Sequence, residues 1–305
     1  MRAVPVSVAC CINESYVLPL AVMLSTLAAR MAPECRIAVH LLHHGLHDES
    51  LAALGSIVDV LPVRLSPQSL AQLPRSRHFP PEAAAALLLE DVLPRDLDRV
   101  IFIDADVLAL SDLSPLWNHD LCGKALAAVC DPAIPRCSSW RGVKGWRERG
   151  IPRTKAYFNA GVMLLDLDAW RDRRISERAL SYLREIGDRS EFFHQEALNA
   201  VAWNDWDELP ARWNLPSTAG RSFDRTSPDA VAEPALVHFS GRMKPWRART
   251  GSRFDADYRH AIARLGSRIA ARDLSGEDWA LGLYDRTIRP LCYPLERALW
   301  ALRVI

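Results

Sequence analysis

Asp104 and Asp106 stand one residue apart at the end of the apolar run Val100–Ile103. Taking one carboxylate out of water is costly, and placing two like charges together costs more. In an extended chain, residues i and i+2 face one side with Cα atoms roughly 6.5–7 Å apart, so both carboxylates can converge on one cation. A divalent ion cancels their repulsion and keeps both ionised. Oxygen ligands suit Mg²⁺, Mn²⁺ or Ca²⁺, and an added imidazole moves the choice toward Mn²⁺. His238, at the end of the strand-like "ALVHF", offers that imidazole. The bland alternative is that Asp104 begins a turn and Asp106 caps an element.

Other chemistry-bearing groups read as structure. His40, His43, His44 and His47 fall at a strand end and loop, without the helical i, i+4 facing of a zinc site. Asp166 and Asp168 form a second D-x-D at a strand-to-helix exit, where Asp168 is the expected helix cap. No G-x-G-x-x-G follows the first strand and no G-K-[ST] occurs, which argues against dinucleotide and P-loop sites. The seven cysteines are odd in number and lack a C-x-x-C pair, as reduced cytosolic thiols do.

The surrounding elements alternate. Strands are expected at "VPVSVACCI", "CRIAVHLL", "VDVLPVRL", "RVIFID", "KALAAVCD" and "YFNAGVMLLDL". Helices are expected at "LPLAVMLSTLAARM", "HDESLAALGSIV" with Asp48 as its cap, "PEAAAALLLEDVLP", "DAWRDRRISERALSYLREIG" and "HQEALNAVAW". This pattern predicts an α/β fold with a largely parallel, doubly wound sheet, whose ligands bind beyond the strand C-termini. Asp104 and Asp106 stand at such an end. The segment 133–156 is rich in Gly, Pro and basic residues and reads as a long, mobile loop.

The chain has 305 residues, 49% hydrophobic and 25% charged, with a net charge of +1, which gives no case for a nucleic-acid partner. From Arg242 onward the net charge is +6, leaving −5 on the rest. The expected organisation is a catalytic domain over 1–250 and a basic helical extension over 251–305. Arg264, Arg268 and Arg272 make one helical stripe, and the final "YPLERALWALRVI" suits an anionic membrane surface or packs back on the domain. The start resembles a first core strand better than a leader, and no apolar run reaches the roughly 18 residues of a membrane span. The expected location is cytoplasmic, with the tail as a peripheral hold on the inner face of the cytoplasmic membrane.

Four blocks carry a resemblance: "LPRDLDRVIFIDADVLALSDLSPLW", "YFNAGVMLLDLDAW", "HQEALNAV" and "HFSGRMKPW". Together, in this order, they resemble the retaining glycosyltransferases of family 8, which include bacterial lipopolysaccharide galactosyl- and glucosyltransferases and glycogenin. The resemblance runs from about Val6 to Trp246. It implies a GT-A fold, a UDP-sugar donor, Mn²⁺ with Mg²⁺ as a substitute, and transfer of galactose or glucose to a glycan or lipid-linked acceptor such as lipopolysaccharide. It makes Asp104 and Asp106 the D-x-D and His238 the third metal ligand, with Asp104 also near the ribose. Gly241 and Lys244 match positions that contact the phosphates, and Asn159, Ala160 and Gly161 match the stretch against the donor sugar. Asp131 matches a polar position beside that sugar, and Gln195 the glutamine beneath the anomeric carbon. Asn13, Glu14 and Tyr16 fall where the family binds uracil and ribose. Two departures stand out: Ala86 lies where the family often has arginine, and His194 replaces the first Asp of a D-Q-D. They support the alternative of a nucleotide-sugar-binding homologue with weak or no turnover.

Overall fold

The computed structural model describes residues 5–74, 81–218, 230, 232–241 and 243–265. The β-branched run at the start forms β1 (Val6–Ile12), and α1 (Val17–Ala28) follows a single 3-10 turn. Then come β2 (Ile37–His43), α2 (Asp48–Gly55), β3 (Asp59–Arg64), α3 (Pro67–Gln72), α4 (Leu89–Val92) and β4 (Arg99–Ile103). After the aspartate pair lie β5 (Val107–Ala109), α5 (Ser114–Trp117), β6 (Leu126–Cys130), β7 (Phe158–Asp166), α6 (Leu167–Asp172), α7 (Ile175–Ile186) and α8 (His194–Val201). The described elements close with β8 (Trp206–Glu208), β9 (Leu215–Pro216), β10 (Leu236–His238) and α9 (Asp255–Arg264).

Seven strands make one mixed, mostly parallel sheet in the order β3-β2-β1-β4-β7-β6-β8. β1 runs parallel to β2 and β4, β2 to β3, and β6 to β8, while β7 is antiparallel to β4 and β6. The largely apolar sequences of β1, β2, β4 and β7 follow from burial on both faces. A second, three-stranded sheet, β5-β10-β9, stands at the C-terminal end of β4. α9 packs on this side: Phe254, Tyr258 and Ala261 are buried in one core with α1, and Tyr258 meets the rings of Phe239 and Trp246. Residues 254–261 therefore share the core of the segment that precedes them.

Several expected details change. α2 begins at Asp48, so His47 holds the cap position and Asp48 lies in the first turn. Its end is sealed from outside, because the Glu14 carboxylate accepts from the His47 amide at 3.2 Å and the Ser50 hydroxyl at 2.5 Å. The cap of α6 is Asp166, which accepts from the Ala169 amide at 2.8 Å; Asp168 instead pairs with Arg171 inside the first turn. The long helix expected after it is two, broken at Arg174 with φ +53°, a left-handed conformation that ends α-helical continuity. The expected helix "PEAAAALLLEDVLP" is a 3-10 stretch, Pro81–Leu88, running into the short α4. Residues 84–89 are all buried, so no polar face imposes the 3.6-residue period.

Segment 133–156 has no helix or strand, yet it is fastened. Ile134, Cys137, Val143 and Ile151 are buried, and the Cys137 amide bonds to the Lys155 carbonyl. Cys10, Cys35, Cys122, Cys130 and Cys137 form no disulfide among the described residues; burial pushes Cys10, Cys130 and Cys137 up to about 12, which leaves them poor nucleophiles. Among the described residues no helix is long and apolar enough to cross a membrane. Arg268, Arg272 and the segment 285–305 lie outside the described residues.

Candidate active site

Asp104 and Asp106 do not sit in a continuous strand. β4 ends at Ile103, β5 begins at Val107, and Asp104–Asp106 is the turn by which the chain leaves one sheet for the other. Each aspartate is placed by its own sheet. The Asp104 amide donates to the Gly161 carbonyl of β7 at 2.8 Å, and the Asp106 carbonyl accepts from Phe239, just past β10, at 2.9 Å. The register pairs Val107 with His238, which brings the histidine beside Asp106. A turn between two sheets thus gives the convergence that strand alternation was expected to give.

His238 Nε2 lies 3.2 Å from Asp106 Oδ1 and 3.7 Å from Asp104 Oδ2. One ligand atom from each of the three residues falls within 4.8 Å of the others. Two carboxylates and an imidazole form a donor set that suits Mn²⁺. The neighbouring backbone is cut to fit: a Cβ on Gly161 would meet His238 Cε1 at 2.2 Å and Asp104 Oδ2 at 2.9 Å. The Lys244 ammonium contacts the Asp106 carboxylate and donates to the Phe239 carbonyl at 2.9 Å. Tyr16 stands on the same side, edge-on to Trp246 at 5.7 Å between ring centres, with Lys244 and both aspartates as its charged neighbours.

The charges in this cluster are unequal. Burial would raise Asp106, but Lys244 and His238 outweigh it and hold its carboxyl well below the usual range. Burial and the Asp106 charge together push Asp104 up to about 6. Burial would lower His238, yet the two carboxylates raise it. Below about pH 6 a cation must therefore displace a proton from Asp104, and from His238 as well. Divalent-metal affinity is expected to fall by at least about tenfold per pH unit as pH drops below 6, since each displaced proton contributes one decade. Titration of Mn²⁺ followed by electron paramagnetic resonance checks this, and an affinity flat between about pH 5 and 7 would contradict it.

A second set of groups adjoins the first. The β6–β7 register jumps between the pairs Ala128–Met163 and Val129–Asn159, which frees the β7 residues between from β6. Such irregularities re-aim groups beside functional sites. Here the freed amides meet side chains: Ala160 N–H donates to Gln195 Oε1 at 3.0 Å, and Gly161 N–H to Asn159 Oδ1 at 2.9 Å. Asp131, just past β6, gathers the rest. Its Oδ2 accepts from Asn159 Nδ2 at 3.0 Å and Gln195 Nε2 at 3.1 Å; its Oδ1 accepts from the amides of Ala133 and Ile134. Gln195 is carried by α8, which Asn199 fastens to β7 through both the amide and the carbonyl of Phe158.

The structure therefore brings Asp104, Asp106, His238, Lys244 and Tyr16 to one end, and Asp131, Asn159, Ala160 and Gln195 to the other. Asn13 caps its own 3-10 turn, accepting from the Ser15 amide. Glu14 has its carboxylate turned to α2. Gly241 has φ +92°, which glycine alone adopts freely. Ala86 is 1% exposed, enclosed by apolar neighbours. His194 begins α8; its buried Nδ1 has no hydrogen-bond partner among the described residues, and burial pushes the ring down to about 4.

Sequence reasoning missed two groups. Asn214 Oδ1 lies 2.9 Å from His238 Nδ1, where it can only accept, and Asn214 Nδ2 donates to Asn159 Oδ1 at 2.8 Å, so it joins the two ends. An asparagine in "RWNLP" is indistinguishable in a single sequence from any turn asparagine. Glu196 is fully buried and accepts from Tyr182 at 2.5 Å, Lys144 N–H at 3.0 Å, Ser190 at 2.9 Å and Glu191 N–H at 3.2 Å. It fastens the 133–156 loop to the helix that carries Gln195. Glu196→Ala leaves these donors unsatisfied and is expected to destabilise the fold by roughly 3 kcal/mol in urea unfolding, with Glu196→Gln recovering part of the loss.

Known proteins resemble this chain along most of its length. General stress protein A of Bacillus subtilis (strain 168) is 27% identical over 271 residues, covering 83% of this chain and 91% of that protein. Lipopolysaccharide 1,2-glucosyltransferase of Escherichia coli (strain K12) is 27% identical over 194 residues, covering 60% of this chain and 54% of that protein. The galactosyltransferase LgtC, solved in complex with donor and acceptor sugar analogs, superposes with a TM-score of 0.72 at 23% identity, covering 91% of this chain and 100% of that one. That likeness gives the fold, which is GT-A. The family model described as glycosyl transferase family 8 matches residues 7–250, the stretch that holds every group of both ends of the site. The chain is a glycosyltransferase and belongs to family 8.

Proposed function

We propose that this glycosyltransferase moves galactose or glucose from a UDP-sugar to a glycan or lipid-linked acceptor such as lipopolysaccharide, with retention, using Mn²⁺ or, less well, Mg²⁺. One observation carries the reading: the acidic–imidazole cluster with Lys244 and the Asp131–Asn159–Gln195 set are parts of one hydrogen-bonded unit. The name of the E. coli relative supports the lipopolysaccharide acceptor.

Asp104, Asp106 and His238 would hold the cation, which supplies Lewis acidity toward the diphosphate. Lys244 adds a fixed positive charge for the departing UDP, and Tyr16 with Trp246 offers an aromatic wall for the nucleotide. Retaining hydrolases use a carboxylate nucleophile. Asp131 is ill suited to that task, because its two oxygens already accept four hydrogen bonds. Gln195 uses one lone pair of Oε1 on Ala160 N–H and keeps the other for positive charge at the anomeric carbon. We therefore favour front-face substitution. The acceptor hydroxyl attacks on the side UDP leaves, the C–O bond to UDP breaks, and a phosphate oxygen takes the proton. His194 is neutral at physiological pH and presents one donor and one acceptor where a carboxylate presents acceptors alone. That difference bears on which sugar hydroxyls are read.

The test is UDP release from a panel of nucleotide sugars with Mn²⁺, with proton NMR reporting the anomer of the product. Metal-dependent turnover of UDP-galactose or UDP-glucose with retained configuration is expected. Binding of UDP-sugar without turnover would favour a binding homologue, and a trapped covalent glycosyl adduct would overturn the front-face step.

A further inference from the structure

We infer that Asn214 is a positioning residue that sets the tautomer of His238 and ties the metal-ligand end of the site to the donor-sugar end. The inference rests on the metal reading proposed above. Asn214 is 4% exposed and His238 is 5% exposed, so neither relies on water for its polar partners.

The direction of every hydrogen bond in the chain of groups follows from its two fixed ends. An ionised Asp131 can only accept, so the Asn159 atom 3.0 Å from Asp131 Oδ2 must be the amide nitrogen. The backbone N–H of Gly161 can only donate, so the Asn159 atom 2.9 Å from it must be the oxygen. Both ends agree on one orientation of Asn159. Its oxygen then demands a donor from Asn214, which turns Asn214 Nδ2 toward Asn159 at 2.8 Å. Asn214 Oδ1 is left facing His238 Nδ1 at 2.9 Å. An oxygen acceptor there requires the proton on Nδ1. In the neutral ring Nε2 then carries the lone pair, and Nε2 is the atom that faces Asp106 and Asp104. Nδ1–H is the less common tautomer of a free imidazole, so the protein must impose it. A backbone or side-chain oxygen on the far nitrogen is how metal-bound histidines are oriented.

The two atoms of the Asn214 amide thus have separable tasks. Oδ1 serves the metal ligand, and Nδ2 serves Asn159 and, through Asp131, Gln195. Asn214→Ala removes both tasks. Asn214→Asp keeps an oxygen for His238 but cannot donate to Asn159. The experiment measures Mn²⁺ affinity and UDP-sugar turnover in the wild type, His238→Ala, Asn214→Ala and Asn214→Asp, with thermal melts to confirm folding. His238→Ala is expected to weaken Mn²⁺ most. Asn214→Ala is expected to weaken it by roughly 10–100-fold. Asn214→Asp is expected to return Mn²⁺ affinity to within a few fold of wild type while kcat stays depressed at saturating Mn²⁺. If His238→Ala binds Mn²⁺ as wild type does, the metal reading fails. If His238→Ala is impaired but Asn214→Ala is not, or if Asn214→Asp is as weak as Asn214→Ala, the positioning role fails alone. If Asn214→Asp restores turnover as well as affinity, the tie to the donor end fails. Nitrogen-15 NMR of the wild type saturated with diamagnetic Mg²⁺, where a cation rather than a proton stands between Nε2 and the two carboxylates, gives a readout that needs no variant. Nδ1–H is expected, and Nε2–H overturns the inference.

Discussion

Asp106→Asn is expected to lower metal-dependent turnover by about a thousandfold and Mn²⁺ affinity by at least about a hundredfold, on the scale of several kcal/mol of transition-state charge stabilisation. The carboxylate is 7% exposed and is shared by two cationic groups, His238 Nε2 at 3.2 Å and the Lys244 ammonium. The amide keeps the shape and removes the charge. Lys244 is then a buried ammonium without its counter-charge, which is the expensive way to break an ion pair. The folded state should therefore lose about 2–4 kcal/mol as well, read from urea unfolding of the metal-free protein. Asp104→Asn is the informative contrast. Asp104 is partly exposed, stands 3.7 Å from His238, and is held near 6 by burial and by the charge on Asp106. Removing its charge relieves repulsion, so the metal-free protein should be unchanged or slightly more stable while Mn²⁺ affinity still falls. If Asp106→Asn leaves both stability and Mn²⁺ affinity intact, Asp106 is neither the hub of the cluster nor a ligand.

The contrast between these two aspartates is not visible in "DAD", although the pair itself is. The sequence displays an apolar run ending in two acids, and that suffices for a strand whose C-terminal end meets a ligand. It displays the alternation that builds six strands of the main sheet, which run five to nine residues, but not the three-residue β8 at its edge. It does not display the second sheet. β5, β9 and β10 have two or three residues each, too few for any period, and β5 pairs with β10 across more than a hundred residues. Yet this small sheet decides which carboxylate is clamped by His238 and Lys244 and which is not. Asn214 enters the site from the last residue of a 3-10 turn just before β9, and no periodic signal marks it either. His238 and Lys244 are legible through their motif, not through a pattern of burial. The expected cap of α6 lies two residues from the observed one because Asp166 and Asp168 are chemically equivalent candidates, and only the position where β7 ends distinguishes them. Glu14 shows the converse: a carboxylate expected at the nucleotide is drawn off by the open amides of a neighbouring helix.

Gly161→Ala is expected to disable the site while leaving a folded protein. A methyl group at 161 would sit 2.2 Å from His238 Cε1, 2.6 Å from Nδ1 and 2.9 Å from Asp104 Oδ2, all well inside contact distance. The obstacle is space rather than backbone conformation, since Gly161 is not among the residues with positive φ. His238 has little room to yield: its ring is tied to Asn214 at 2.9 Å and its backbone is paired in β10 with Val107. Asp104 is tied through its amide to the carbonyl of Gly161 itself. The added carbon must therefore push both ligand-bearing side chains apart or drive β7 away from β4. Overpacking of this kind costs about 1–3 kcal/mol in stability. Displacing two of the three proposed ligands should cost more in function, at least about a hundredfold in Mn²⁺ affinity, the upper range for disturbing the groups that merely orient a ligand. Gly241→Ala separates this effect from a generic glycine penalty. Gly241 has φ +92°, and a Cβ added there would meet nothing within 4 Å, so alanine incurs backbone strain of about 1–2 kcal/mol but touches no ligand. The two variants should then show similar losses of melting temperature and very different Mn²⁺ titrations. Similar titrations would mean that β7 gives way at 161, and that the closeness of its backbone to His238 and Asp104 is not what fixes the ligand positions.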